Sequence, residues 1–207
     1  YELPNRQLFY RIEILDQALT KGKQVAFHYN VYHTDKKLHP RSDHEGNVRT
    51  YVINPYQKEA VNGRYYLICN YDKYDDVSNY RVDRITDIQL LDTPVKPMKN
   101  MKGLEHGLNL PKHMAEHVYM FTGESVPVTF RAKKYLLTDL FDWFGKAMQF
   151  TDETEEEVTV RVTVNLDAMR KWALQYALHV KVLKPERLVE MLREDVKQAA
   201  EQYGLTN

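Results

Sequence analysis

The sequence predicts an α+β protein of two parts, and three observations carry that prediction. An amphipathic helix near the N-terminus precedes short segments in which apolar and polar residues alternate, the period of half-buried strands. A stretch rich in proline, glycine and lysine follows residue 92 and interrupts any period. Beyond it the predicted element order is β-α-β-β-α-β-α, the ferredoxin-like arrangement with one added helix.

The first part, residues 1–92, is predicted to be one helix and about five antiparallel strands. Apolar residues recur at helical spacing from about Asn5 to Thr20, and Gly22 suits the end of that helix. The predicted strands are 23–32, 36–41, 48–53, 63–72 and 78–91. So many short strands in so short a segment indicate a small barrel or a strongly bent sheet.

The middle segment, residues 93–124, is predicted to be a linker with a short helix near Lys112 to Phe121. The second part, residues 125–207, carries the remaining elements. Strands are predicted at 126–132, 147–151, 158–165 and 179–183, and helices at 135–144, 167–178 and from 185 onward. An apolar stripe runs along the last helix from Leu188 through Val196 to Tyr203.

Composition limits the function classes. The chain has 29 basic and 29 acidic side chains, so no global charge attracts it to nucleic acid or membrane, and any polyanion site must be local. Its single cysteine, Cys69, excludes an internal disulfide, and no signal peptide or long apolar run is present. We therefore expect a cytoplasmic protein without a membrane partner. Because the chain starts at Tyr1 rather than at methionine, we also expect that an upstream piece is missing.

Tyrosines and cations concentrate in the first part. Eleven of the fifteen tyrosines fall within residues 1–92. Aromatic rings beside cations on a small barrel suit unpaired nucleic acid, because bases stack on the rings and cations meet phosphates. The candidate cations are Lys23, His28, Arg41, Arg49, Arg64, Arg81 and Arg84. Strand propensity and core packing are the alternative explanation for each tyrosine taken singly.

The stretch "NYRVDRI", residues 79–85, leaves two interpretations open. Strand alternation would place Arg81 and Asp83 on one side and Arg84 on the other, so the two arginines would not share a surface. Asp83 could hold an arginine in an ion pair, or an arginine could bind a phosphate or carboxylate. One of the two arginines is expected to be structural.

Several of these residues resemble the WYL-domain transcription regulators of bacteria. The naming strand of that family corresponds to "GRYYL", with Tyr65 and Tyr66, and its second signature to "YRVDRI". The C-terminal segments "VPVTFRAKKYLLTDLFDWFG" and "HVKVLKPERLVEMLREDVKQAAEQY" are similar to the WCX extension. The resemblance implies an Sm-like, SH3-type barrel followed by the ferredoxin-like WCX domain. Tyr65 replaces the naming tryptophan, and Ser78 stands where many members carry another arginine.

The same resemblance implies the effector-sensing and dimerising part of a regulator. Its DNA reader, a winged helix-turn-helix, would lie upstream, so operator DNA would be reached only through that missing domain. The implied ligand is single-stranded nucleic acid or an anionic nucleotide, and the implied assembly is a homodimer. The candidate ligand-binding residues are His28, Tyr29, Arg49, Tyr65, Tyr66, Arg81 and Arg84. No catalytic residue, metal or cofactor is predicted, and the chain is not expected to be an enzyme.

Two alternatives differ in class. "HMAEH" matches a zinc-hydrolase pattern in which His113 and His117 would bind the metal and Glu116 would be the base. A third ligand is required, and nothing in the sequence identifies it. The other alternative is a purely structural dimerisation module without a ligand, in which Arg81 and Arg84 affect only stability.

Overall fold

The structure, a computed structural model, describes residues 5–61, 63–117, 119, 121 and 123–205. The chain divides into two compact units, Tyr1–Leu108 and Asn109–Asn207, and each has its own hydrophobic core. Both units combine helices with antiparallel strands, so the predicted α+β class is confirmed. Within the described ranges, no helix has the length and apolar character needed to cross a membrane.

The first unit begins with helix α1, Asn5–Lys21, which ends before Gly22 in the left-handed region (φ 60°). The strands that follow are β1 Lys23–Tyr32, β2 Leu38–Pro40, β3 Thr50–Val61, β4 Arg64–Tyr71, β5 Val77–Arg81 and β6 Ile85–Pro94. In the described residues these six strands form one antiparallel sheet of order β2-β1-β3-β4-β5, with β6 also paired to β1.

The expected barrel is not closed. No hydrogen-bonded ladder joins β5 to β6 in the part of the chain that the structure describes, so the sheet is open. The single strand predicted over 78–91 is broken at Val82–Arg84 by a 3-10 turn, which carries the chain from β5 to a new strand paired with β1. Because residues 82–84 form a turn and not a strand, the predicted strand alternation through Asp83 and Arg84 was wrong, although Arg81 and Asp83 do meet as it predicted.

The core of the first unit lies between α1 and the sheet. Leu15 and Ala18 of α1 are fully buried against alternate residues of β1, where Val25 and Phe27 are also fully buried. This match of a helical and a strand period is what the sequence pattern predicts. Cys69 lies in the same core, and burial raises the pKa of its thiol well above the ordinary value.

A buried polar network ties three strands to the segment after β6. Asn54 of β3 is fully buried and donates to Oδ1 of Asn70 on β4 at 2.9 Å. Its own Oδ1 accepts from Nε2 of Gln24 on β1 and from the backbone N–H of Lys96, each at 2.9 Å. Asp72 accepts further bonds from Gln24 and Asn54, both at 3.1 Å. Strands β1, β3 and β4 are thereby joined by side chains as well as by their backbone ladders.

The second unit begins with the short helix α2, Leu110–Glu116. Its other elements are β7 Ser125–Lys133, α3 Leu137–Phe144, β8 Gln149–Thr151, β9 Glu157–Asn165, α4 Leu166–Gln175, β10 Val180–Lys184 and α5 Glu186–Gln202. Within the described residues, four strands form an antiparallel sheet of order β10-β7-β9-β8. Trp172 of α4 is fully buried in the core on this sheet.

The apolar stripe of α5 is covered over only part of its length. Leu188 is fully buried and Leu192 is half-buried against the core. Val196 is 51% exposed and Tyr203, just past the helix end, is 84% exposed. The second half of the stripe therefore extends beyond the core of its own unit.

Candidate functional site

Asp83 holds Arg81 in a two-point ion pair. Arg81 Nε donates to Oδ1 at 3.0 Å and Nη2 donates to Oδ2 at 2.6 Å. The hydrogen bond to Asp83 raises the pKa of Arg81. The ion-pair interpretation of "NYRVDRI" thus describes the state of Arg81 in this structure.

Other arginines surround the same aspartate. Arg64 Nη1 lies 3.8 Å from Oδ2 of Asp83, and Arg11 of α1 donates to the Asp83 main-chain oxygen at 3.3 Å. Burial alone would raise the pKa of Asp83. The combined effect of Arg81, Arg64 and Arg84 is larger and opposite, so the pKa of Asp83 lies below its ordinary value. We call Asp83, Arg11, Arg64, Arg81 and Arg84 the Asp83 cluster.

Tyr66 lies beside this cluster, and Arg84 is its member with a buried Nε. Tyr66 on β4 is directly opposite Arg81 on β5 in the strand register. Arg84 is half-buried, its main-chain oxygen accepts from Asn30 Nδ2 at 2.9 Å, and its Nε is buried. That Nε has no hydrogen-bond partner among the described residues. The 3-10 turn therefore places Arg84 where its charge acts on Asp83, while the guanidinium groups that pair with this carboxylate in the described residues are those of Arg81 and Arg64.

A cluster of tyrosines belongs to the hydrophobic core of the same unit or packs against it. We call its four members, Tyr29, Tyr51, Tyr71 and Tyr80, the tyrosine cluster. Ring centroids are 4.9 Å apart for Tyr29 and Tyr80 and 5.1 Å apart for Tyr51 and Tyr71. Tyr51 is buried, and within the described part of the chain its hydroxyl has no hydrogen-bond partner. Packing thus explains much of this set, as the alternative from strand propensity predicts.

Two arginines lie over these rings. The guanidinium carbon of Arg49 is 5.0 Å from the Tyr51 ring centroid and 5.5 Å from that of Tyr71. The Arg41 guanidinium carbon is 5.4 Å from the Tyr29 centroid. A hydrogen bond to Tyr71 raises the pKa of Arg49. Neither Arg41 nor Arg49 forms a salt bridge with a carboxylate in the described residues, so both cations are available to an anion.

Tyr29 connects the two clusters. Its ring lies beneath Arg41, and its hydroxyl accepts a hydrogen bond from the Arg81 backbone N–H at 3.1 Å. Burial raises the pKa of Tyr29, and the Arg81 hydrogen bond with the nearby Arg84 and Arg41 charges partly offsets that rise. Tyr29 therefore contacts both Arg41, through its ring, and the backbone of Arg81, through its hydroxyl.

The remaining predicted residues lie apart from these contacts. Tyr65, at the start of β4, is 45% exposed and is opposite Ala60. His28 Nδ1 is 3.1 Å from Oδ2 of Asp87, so this histidine pairs with a carboxylate. Tyr65 is a free ring at the surface, whereas His28 already has an anionic partner.

Sequence reasoning missed Arg11 and the central position of Asp83. Arg11 precedes Asp83 by 72 residues and lies on a helix, so no local pattern connects them. Arg41 was among the candidate cations but not among the predicted ligand-binding residues. Its position after β2, where its N–H donates to the Tyr29 carbonyl at 3.0 Å, is what brings it to the tyrosine cluster.

The two histidines of the zinc-hydrolase alternative are stacked in α2 and just after it. The rings of His113 and His117 are 4.0 Å apart, and Glu116 pairs with Lys112 at 3.8 Å. Burial lowers the pKa of His113 to about 3 and also lowers that of His117. Throughout the described ranges, no group of three His, Cys, Asp or Glu side chains is placed to hold a metal ion. The described residues therefore do not supply the third metal ligand that a zinc hydrolase would require.

Arg41 and Arg49 thus lie over buried and half-buried tyrosine rings of an α+β fold. Family models match this chain twice, as a WYL domain over residues 11–90 and as a WCX domain over residues 124–200. The chain is a WYL-domain protein with a WCX extension. The resemblance inferred from "GRYYL" and "YRVDRI" is thus confirmed.

Two solved structures align with 96% of this chain. One is described as a CRISPR Cas-related protein, with 14% identity, a TM-score of 0.52 and 52% of that chain covered. The other is the proteasome accessory factor B/C (PafBC) of Arthrobacter aurescens, with 16% identity, a TM-score of 0.41 and 28% of that chain covered. The present chain spans about half of the first and about a quarter of the second. A search of curated proteins found no match.

Proposed function

We propose that this chain is the effector-sensing and dimerising part of a transcriptional regulator, with a WYL domain that binds single-stranded nucleic acid or an anionic nucleotide. The main support is the pair of arginines, Arg41 and Arg49, held over tyrosine rings without a carboxylate partner in the described residues. Such cations can meet phosphates, and bases can stack on exposed rings of the same sheet. Tyr65 adds an exposed ring at the same sheet.

Ligand binding would regulate DNA binding through thermodynamic linkage between the two events. A ligand that binds two arrangements of the protein with different affinity shifts their populations, and this shift would reach a DNA reader upstream of the chain. Operator DNA would be contacted only through that reader. We also propose a cytoplasmic location, because one buried thiol and no possible internal disulfide suit a reducing compartment.

We propose finer fold assignments as well. The bent antiparallel sheet with its N-terminal helix is consistent with the Sm-like class, although its strands do not close into a barrel in the described residues. The order β10-β7-β9-β8 with helices between the strands supports the ferredoxin-like class for the WCX domain.

The test is fluorescence polarisation of a labelled oligothymidylate and of labelled cyclic dinucleotides at two salt concentrations. We expect Arg49→Ala to weaken binding by ~1 kcal/mol and to flatten the salt slope by about 0.7 if the ligand is a single strand. Arg161→Ala is the matched control, because it removes the same charge from an exposed position on β9. Equal losses in the two folded variants would contradict the assignment of Arg49.

The structural-module alternative keeps one observation in its favour, the two-point pairing of Arg81 with Asp83. It predicts that none of the probes binds and that substitutions of Arg81 or Arg84 change only the free energy of unfolding. Saturable binding that is lost in Arg49→Ala would exclude it.

A further inference from the structure

We infer that Asp83 is an internal counter-ion that occupies the guanidinium of Arg81 and is exchanged for a phosphate group of the ligand; this inference rests on the proposed function. Asp83 then sets how strongly a ligand must bind before Arg81 becomes available. It is a specificity-determining residue that opposes binding, in contrast to the arginines around it.

The geometry of the ion pair supports the exchange. The two hydrogen bonds from Arg81, at 3.0 and 2.6 Å, are the two-point arrangement that a guanidinium also makes with phosphate. The side chains of Arg81 and Asp83 are 20% and 30% exposed. A ligand can therefore approach this pair from solvent without opening the core.

The charge balance around Asp83 favours a second anion. Arg64 and Arg84 act on this carboxylate together with Arg81, and Arg11 contacts its main chain. Besides Asp83, the carboxylate of Asp87 also acts on Arg11, and Asp87 pairs with His28. Cations therefore outnumber the carboxylates that face them, and a phosphate would meet a net positive surface.

Arg64 offers Asp83 a partner after the exchange. Its Nη1 is already 3.8 Å from Oδ2 of Asp83, and its side chain is 58% exposed and free to move. A small rotation of either side chain would convert this long contact into a direct pair. The released carboxylate would then keep a cation, so the exchange costs less than breaking an isolated ion pair.

The location links the exchange to the proposed ligand site. The hydroxyl of Tyr29 accepts from the Arg81 backbone, while Arg41 lies over the ring of the same tyrosine. One tyrosine side chain thus joins the backbone that carries Arg81 to a second cation, Arg41. An extended single strand, which has one phosphate per nucleotide, can offer a separate phosphate to each cation.

The experiment compares Asp83→Asn with Asp87→Asn in polarisation titrations with labelled oligothymidylate. Both variants lose one negative charge in the same region, and Asp87 has a positive φ of 52° that asparagine tolerates. We expect Asp83→Asn to bind about tenfold more tightly than wild type, equivalent to ~1.4 kcal/mol, and Asp87→Asn to stay within about twofold. The gain should disappear when Arg81→Gln is added to Asp83→Asn.

Each outcome has a defined meaning. Binding by wild type that Arg49→Ala reduces and Asp83→Asn does not improve would overturn the exchange and leave the proposed function standing. Equal gains in Asp83→Asn and Asp87→Asn would reduce the effect to net charge and also overturn it. Binding by Asp83→Asn alone would support the exchange but contradict the proposed function for the native chain. Absence of binding in every variant would overturn both.

A measurement on the unaltered chain covers the case in which Asp83→Asn does not fold. With 15N-arginine labelling, the Nε–H resonance of Arg81 is assigned by its loss in Arg81→Gln. We expect this resonance to shift when oligothymidylate is added, because its acceptor changes from carboxylate to phosphate. An unchanged resonance at saturating oligothymidylate would mean that Asp83 keeps Arg81, and the inference would be wrong.

Discussion

Individual residues with the same chemistry have different environments in this protein. Arg81 is held by Asp83, Arg49 lies on two tyrosine rings, and Arg84 has a buried Nε without a partner among the described residues. The formal charge of each is the same, but its availability to a ligand is not. Since a paired arginine must first lose its carboxylate, the unpaired ones are expected to make the first contacts.

Histidine 113 carries a pH dependence at the residue scale. Burial lowers its pKa to about 3 in the folded state, against an ordinary value near 6.5. As pH falls through this interval, the unfolded chain takes up a proton that folded His113 does not, so the free energy of unfolding decreases. The contribution of neutral, buried His113 to the free energy of unfolding is complete above about pH 6.5 and is lost progressively as the pH falls towards 3. At pH 5 we expect a loss of ~2 kcal/mol from this group relative to pH 7.

Urea unfolding followed by tryptophan fluorescence tests this expectation. Both tryptophans, Trp143 and Trp172, lie in the second unit with His113, so their signal reports on that unit. His113→Leu should have a smaller loss between pH 7 and pH 5 than wild type, because it removes the titrating group. An equal loss in both proteins would contradict the assignment.

At the scale of elements, side chains as well as backbone ladders join the strands of the first unit. Asn54 alone contacts a neighbour on β1, a neighbour on β4 and the backbone of Lys96 after β6. The chain thus leaves the WYL sheet through a segment that the sheet itself holds. Tyr56 of β3 adds a bond from its hydroxyl to the Lys96 carbonyl oxygen at 3.0 Å.

Asn54→Leu should destabilise this region strongly. The leucine side chain has the same number of heavy atoms and the same branch point but cannot pair with Gln24, Asn70 and the Lys96 N–H, so buried polar groups lose their partners at roughly 1–3 kcal/mol each. We expect the free energy of local opening to fall by about 2–4 kcal/mol, measured as faster hydrogen exchange in peptides of β3 and β4. Asn47→Leu, at an exposed turn position, should leave those peptides unchanged. Unchanged exchange in Asn54→Leu would show that the network does not support these strands.

At the scale of the whole molecule, the open part of the α5 stripe supports the proposed homodimer. Val196 and Tyr203 continue the apolar pattern that begins at buried Leu188, but little of their surface is covered within their own unit. Contact with a second copy would remove this apolar surface from water, and that burial favours association.

The mass in solution tests the dimer. Multi-angle light scattering should give about twice the chain mass of 24.5 kDa for wild type and the single mass for the double variant Val196→Glu, Tyr203→Glu. Leu178→Glu is the control, because this exposed apolar residue follows α4 and does not belong to the stripe. A dimer that survives the double variant would place the contact elsewhere.

The sequence by itself determined the elements and the family. Helix α1, most of the strands and the order of elements in the second unit follow from periods of 3.6 and 2 residues, which depend on neighbours close in the chain. The motifs "GRYYL" and "YRVDRI" identified the WYL domain, and residues 124–200 match the WCX domain. The individual ligand-binding residues stay predictions.

Only the tertiary structure decided how those residues are combined. The 3-10 turn at Val82–Arg84 replaced a predicted continuous strand, and it placed Arg84 where its charge acts on the carboxylate that pairs with Arg81. Arg11 reaches Asp83 across 72 residues, and Arg41 reaches Tyr29 through the β1–β2 pairing. The physical reason is range: backbone propensity acts within a few residues, whereas charge pairing and ring stacking act between residues that meet only after the chain has folded.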